Sequence, residues 1–78
     1  MMREQLKSIL VESLFLECSP SDIDDEAPFA DYHVDSFMLL EFLAAIEETL
    51  GIHFEESDIT AENLRSIATL ERLVASRQ

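Results

Sequence analysis

The sequence predicts a small all-α domain, a four-helix bundle of three main helices plus one short helix, with a long anchored loop between helices 1 and 2. Three observations lead there. Apolar residues recur at three- and four-residue spacing in separate stretches of the 78-residue chain. Hydrophobic residues make up 47% of it, too much for disorder, and one Gly with two Pro is too few for a turn-rich all-β fold. The strongest breakers, Ser19-Pro20-Ser21 and Gly51, fall between the periodic stretches. At this length the whole chain, residues 1–78, forms one domain.

The first helix is expected from Met2 to Cys18. Leu6, Ile9, Leu10 and Leu14 make its apolar stripe, and Arg3, Glu4, Lys7, Ser8 and Glu12 fill the other positions. Ser19-Pro20-Ser21 stops it, because Pro disfavours helix in the residue before it. The following residues, 19–34, carry Asp22, Asp24, Asp25, Glu26, Pro28 and Asp31 and read as one long loop, with Ile23, Phe29, Tyr32 and Val34 spaced as anchors into a helical core. The acidic order lacks the Gly and closing Glu of an EF-hand, so no metal site is expected.

The second helix is expected from Ser36 to Leu50, with Asp35 or Ser36 able to cap it and Gly51 as a left-handed C-cap. Steps of about 100° place Leu39, Phe42, Leu43, Ile46 and Leu50 on one core-facing stripe. Phe37, Glu41, Ala44 and Glu48 fall opposite, flanked by Met38, Leu40 and Ala45. An outward face that is both apolar and acidic suits a partner offering a hydrophobic dent ringed by Lys or Arg. The competing use of Phe37 is to fold back onto the loop against Tyr32. Beyond Gly51, Ile52 and Phe54 lead into a polar link, 55–58. Thr60 then caps a short helical turn through Leu64 or Arg65, and Ser66 caps the last helix, Ile67 to Arg77, with Ile67, Leu70 and Val74 inward.

The charge balance excludes whole classes of partner. Asp and Glu number 17 against 5 Lys and Arg, a formal charge of -12, which repels nucleic acid and anionic membranes. A basic protein surface is the partner that such acidity fits, and plain solubility is its other use. The single Cys18 permits no internal disulfide and is best read as a small packed residue. No signal-peptide pattern opens the chain, and the apolar run Phe37 to Ile46 is broken by Glu41 and too short for a bilayer. A soluble, cytoplasmic monomer is expected.

Chemistry-bearing groups are sparse. His33 and His53 lie on either side of the second helix, and there is no hydrolase elbow, phosphate-cradling Gly loop or paired-His metal motif. No acid, base and nucleophile converge, so the chain is not expected to be an enzyme. Ser36 is better placed as a modification site. A hydroxyl in the first turn of a helix sits near the surface, beside free backbone N–H groups and the positive end of the helix dipole, where a phosphate ester is well accommodated.

Taken together, His33-Val34-Asp35-Ser36-Phe37 and the Glu-Glu-x-Leu-Gly-Ile stretch at 47–52 give the chain a family likeness. It resembles the acyl and peptidyl carrier proteins, whose attachment motif is Asp-Ser followed by a large apolar residue, after a Gly and a hydrophobic residue. The likeness runs through nearly all of the chain. It implies that Ser36 accepts 4′-phosphopantetheine from coenzyme A through a phosphopantetheinyl transferase, with Asp35 beside it, and that the arm's thiol carries a substrate as a thioester. It also implies that Phe37, Met38, Glu41, Ala44, Glu47 and Glu48 face partners: an acyl- or aminoacyl-loading ligase and downstream biosynthetic enzymes with basic docking surfaces. His33 stands where the family usually has Gly, and Met38 where many fatty-acid carriers have an acidic residue. Those departures lean toward a free-standing carrier for a specialised acyl or aminoacyl group. The alternative is an acidic helical interaction module that has the carrier fold and is never modified.

Overall fold

The computed structural model describes residues 2–77. Three α-helices, α1 (Met2–Leu14), α2 (Ser36–Leu50) and α3 (Ile67–Arg77), enclose the core, and single 3-10 turns at Pro20–Asp22, Phe29–Tyr32 and Glu56–Asp58 punctuate the connections. Among the described residues there is no strand, so the all-α expectation holds.

The expected fourth helix does not form. Thr60 does cap the segment, its hydroxyl accepting from Asn63 N at 3.1 Å and its carbonyl from Leu64 N at 3.0 Å, but the chain makes only this one turn. Five residues between a cap and the Ser66 cap leave no room for a second turn, and helix initiation without propagation is unfavourable. α1 also ends earlier than expected, at Leu14 rather than Cys18. Phe15 takes the left-handed conformation (φ 53°), and Leu16 N donates to Val11 O at 3.1 Å, the 6→1 bond of a Schellman ending.

α2 begins and ends where its caps dictate. Asp35 is extended (φ -90°, ψ -179°) and its carboxylate accepts from Met38 N at 2.9 Å, while Gly51 closes the helix at φ 68°. Phe42, Leu43 and Ile46 of its stripe are buried, with Leu39 and Leu50 half-buried against the same core. α3 is capped by Ser66, whose hydroxyl accepts from Thr69 N while the Thr69 hydroxyl accepts from Ser66 N at 3.0 Å, a reciprocal cap. Ile67, Leu70 and Val74 face inward as expected, joined by Ala68 and Leu73.

The loop 19–34 is anchored by its apolar residues and by two backbone bonds. Ile23, Phe29 and Val34 are buried, and Phe29 meets Phe42 edge-on at a 5.8 Å centroid separation. Tyr32 is half-buried, with its hydroxyl accepting from Asp24 N at 2.8 Å. Phe29 N donates to Arg65 O at 2.8 Å, and Ala68 N, which has no acceptor within the first turn of α3, donates to Asp25 O at 2.9 Å.

Ion pairs complete the frame on one side. Asp25 receives Lys7 and Arg3, and Arg3 also reaches Glu71, so one cluster ties α1, the loop and α3 together. Hydrogen bonds from Lys7, then Arg3, hold the Asp25 carboxyl below the usual carboxylate range, and the Glu71 and Asp25 acceptors raise the Arg3 guanidinium further. Asp58, buried, is bound by Arg77 at the end of α3 and accepts from Glu55 N at 2.8 Å; both bonds hold its carboxyl low.

Candidate functional site

The site forms where the loop delivers the chain to α2. The 3-10 turn at Phe29–Tyr32 ends on His33, whose N–H returns to Ala30 O at 3.1 Å and whose backbone is left-handed at φ 62°, ψ 28°. This is the conformation Gly adopts freely, and His is among the few other residue types found there with some frequency. The turn therefore survives without Gly. Val34 then drops into the core and donates to Phe29 O at 3.4 Å, which leaves Asp35 and Ser36 at the surface.

Asp35, not Ser36, takes the capping role. Ser36 becomes the first residue of α2, exposed, with its hydroxyl free of that duty. The Asp35 carboxylate satisfies the Met38 amide, and the remaining first-turn amides keep the positive pole of the helix beside the serine. Ser36 also lies on the rim of an open groove of about 700 Å³. Leu39, Leu40 and Val34 make one wall of it, Ile59, Ala61 and Leu64 the other. It is predominantly apolar, and Arg65 is the cation on its lining. The space is open to solvent and does not reach the centre of the molecule, where Phe42, Ile46 and Val74 are fully buried.

The predicted partner-facing residues do not share one environment. Phe37 is 70% exposed, which excludes the packed position against Tyr32, and Leu40 beside it is 50% exposed. Glu41, Ala44 and Glu48 are exposed, and Met38 is half-buried against the core. Glu47 is engaged within the fold. Its Oε2 accepts from Phe54 N at 2.7 Å and lies 3.1 Å from His53 Nδ1, tying the end of α2 to the segment beyond Gly51. His53 is otherwise solvated, as its position after the helix predicts.

Sequence reasoning missed the second wall of the groove. Ile59 is 42% exposed and stands alone between Asp58 and Thr60, without the periodicity that singles out helical faces. An isolated apolar residue in a polar link was the available signal.

Residues 4–74 match the family model described as "Phosphopantetheine attachment site". Among solved structures, the chain is similar to the Agrobacterium tumefaciens carrier protein in its complex with an engineered Bradyrhizobium japonicum glycine:[carrier protein] ligase and AMP. The two are 26% identical with a TM-score of 0.83, covering 95% of this chain and 99% of that one. The cognate carrier protein of the Bradyrhizobium japonicum ligase, complexed with it and an analogue of glycyl adenylate, superposes at a TM-score of 0.79 with 23% identity, covering 99% of this chain and 100% of that one. The holo acyl carrier protein of Nitrosomonas europaea shares the fold at a TM-score of 0.84 and 18% identity, over 97% of this chain and 94% of that one.

Proposed function

We propose, from the premise that this chain belongs to the phosphopantetheine attachment family, that Ser36 bears the prosthetic arm and that the protein is a free-standing carrier of an acyl or aminoacyl group. Members of this family are carriers rather than catalysts, and the cofactor is a covalently attached 4′-phosphopantetheine. Bound there, it supplies a thiol that holds the carried group as a thioester.

The observation that carries the assignment is the position of Ser36: exposed, first in α2, relieved of capping by Asp35, and on the rim of an open groove. These residues fit the group. An esterified hydroxyl here has room on its solvent side, and its phosphate meets the positive helix pole. The chain's own part is to present, orient and release. Asp35 fixes the first turn, His33 and Val34 fix the approach to it, and Phe37, Met38, Glu41, Ala44 and Glu48 offer an apolar and acidic surface to basic partners.

An aminoacyl group delivered by a ligase is the cargo we favour. Support comes from the 26% identical carrier protein complexed with a glycine ligase. The transferase, the ligase, the downstream enzymes and a cytoplasmic setting belong to the same reading.

Incubation with a broad-specificity phosphopantetheinyl transferase and coenzyme A, followed by intact mass measurement, tests it. One phosphopantetheine should be added to the wild type and none to Ser36→Ala. A gain that survives that substitution removes Ser36 from the role. No gain at all, with partner binding indifferent to Ser36→Ala, favours the unmodified interaction module instead.

A further inference from the structure

In a chain of charge -12, a further anion at Ser36 stands beside Asp35 and close to the acidic face of α2. The helix pole offsets part of that repulsion, yet the Asp35 carboxylate already draws on the same first turn. The disposition of the basic residues bears directly on this balance. Arg3, Lys7 and Arg77 are committed to Asp25, Glu71 and Asp58. Arg65 and Arg72 join no ion pair among the described residues, and of these two Arg65 is the one that lines the groove with Ser36.

The backbone holds Arg65 near the serine. Its carbonyl accepts from Phe29 N at 2.8 Å, and the Phe29 carbonyl accepts from Val34 N at 3.4 Å, two residues before Ser36. Two hydrogen bonds thus link Arg65 to the loop that delivers Ser36, while the Arg65 side chain is exposed and has no ion-pair partner among the described residues. A guanidinium presents donors in a fork matched to phosphate oxygens.

Building on the carrier reading, we propose that Arg65 binds the phosphodiester of the arm at Ser36 and so steers the arm along the groove. Arg65 is a positioning residue. Its contact is made after modification and touches neither the thiol nor the carried group.

The test uses the modified protein without cargo, which keeps any carboxylate on a carried group out of the measurement. Wild type, Arg65→Gln and Arg65→Lys are each converted with transferase and coenzyme A, and the mass gain is verified first. Failure of the wild type to gain mass overturns the carrier reading itself. With modification verified, the 31P resonance of the wild type should differ from that of free phosphopantetheine. It should move toward the free value in Arg65→Gln and in high salt, and Arg65→Lys should retain part of the difference. The change in thermal midpoint on modification should also become less favourable by about 3 °C in Arg65→Gln. Coincident 31P resonances for wild type and Arg65→Gln overturn the contact while leaving the carrier reading intact. A response to Arg65→Gln seen only when a carboxylate-bearing cargo is loaded overturns it as well. Arg65 holds the loop through its carbonyl, so these substitutions leave that bond in place; should Arg65→Gln still fail to fold, the salt response of wild type and Arg65→Lys decides.

Discussion

Two sides of this molecule are built on opposite rules. Where α1, the loop and α3 meet, charges are paired: Arg3, Lys7, Asp25 and Glu71 form one cluster, and at the far end of α3 Arg77 pairs with Asp58 of the preceding link. Across the outward face of α2 the charge is all of one sign. Glu41 and Glu48 stand there with no Lys or Arg on the helix, and next to them Phe37 and Leu40 stand in solvent. The first arrangement satisfies its groups internally; the second leaves them unsatisfied. Charge kept unpaired and apolar surface kept uncovered on the same helix are what a transient partner needs, because encounter is steered by charge and the contact is closed by burial. The paired side gives the exposed side a fixed base.

The sharpest break in this comparison is made from within α2. Phe42 is fully buried and meets Phe29 edge-on, so it joins the helix to the loop that delivers Ser36. Phe42→Ala should cost about 3–5 kcal/mol, much of the stability of so small a domain. Thermal or urea unfolding checks it, and a loss under 1 kcal/mol, roughly the scale of a surface change, shows that α2 is not anchored this way.

How much of this was legible depends on how local the signals were. α2 was readable to the residue because Asp35 and Gly51 mark its ends chemically, and its stripe follows from spacing alone. The end of α1 was not, because the left-handed residue there is Phe15, and nothing in a phenylalanine announces that conformation. Pro20 was the visible stop, and the helix closed six residues before it, at Leu14. The short helix was over-read from a true cap: Thr60 behaves as its type predicts, but a cap does not supply a second turn. At the site, Ser36 and Asp35 were legible from their motif and helix position. The groove's far wall at Ile59 and Leu64 was not, since it depends on how the link 55–65 folds back over α2, a long-range outcome. Glu47 shows the same limit. The family resemblance assigned it to the partner face, and a backbone amide seven residues on captured it.

Acid acts on the paired side through Asp25. Asp25 has its carboxyl lowered in the fold, so its contribution is fully present above the unfolded carboxylate range and disappears as pH falls through the folded value. The thermal midpoint of Asp25→Asn should therefore lie below that of wild type at pH 7, and the gap should narrow below about pH 4. A gap that stays constant with pH removes the ion-pair cluster as its cause.

At the site itself, order rests on a cap instead of ion pairs. Asp35→Ala removes the acceptor for Met38 N and should cost about 1 kcal/mol, with Asp35→Asn recovering most of it. Chemical denaturation with the two variants side by side distinguishes this from a purely electrostatic role, in which Asp35→Asn would do as much harm as Asp35→Ala.

The smallest expected effect on stability is the one that most sharpens the comparison. Glu41 and Glu48 are exposed on the face of α2 that carries no basic residue, so Glu41→Lys with Glu48→Lys should change unfolding free energy by less than about 0.5 kcal/mol. If these charges serve partners, the same double variant should slow modification by a basic transferase at low salt, and the deficit should shrink as salt screens the encounter. Modification rates across a salt series measure it. Equal rates for the two proteins at the lowest salt would assign the acidity of α2 to solubility alone, and the contrast between the paired and unpaired sides would then carry no consequence for docking.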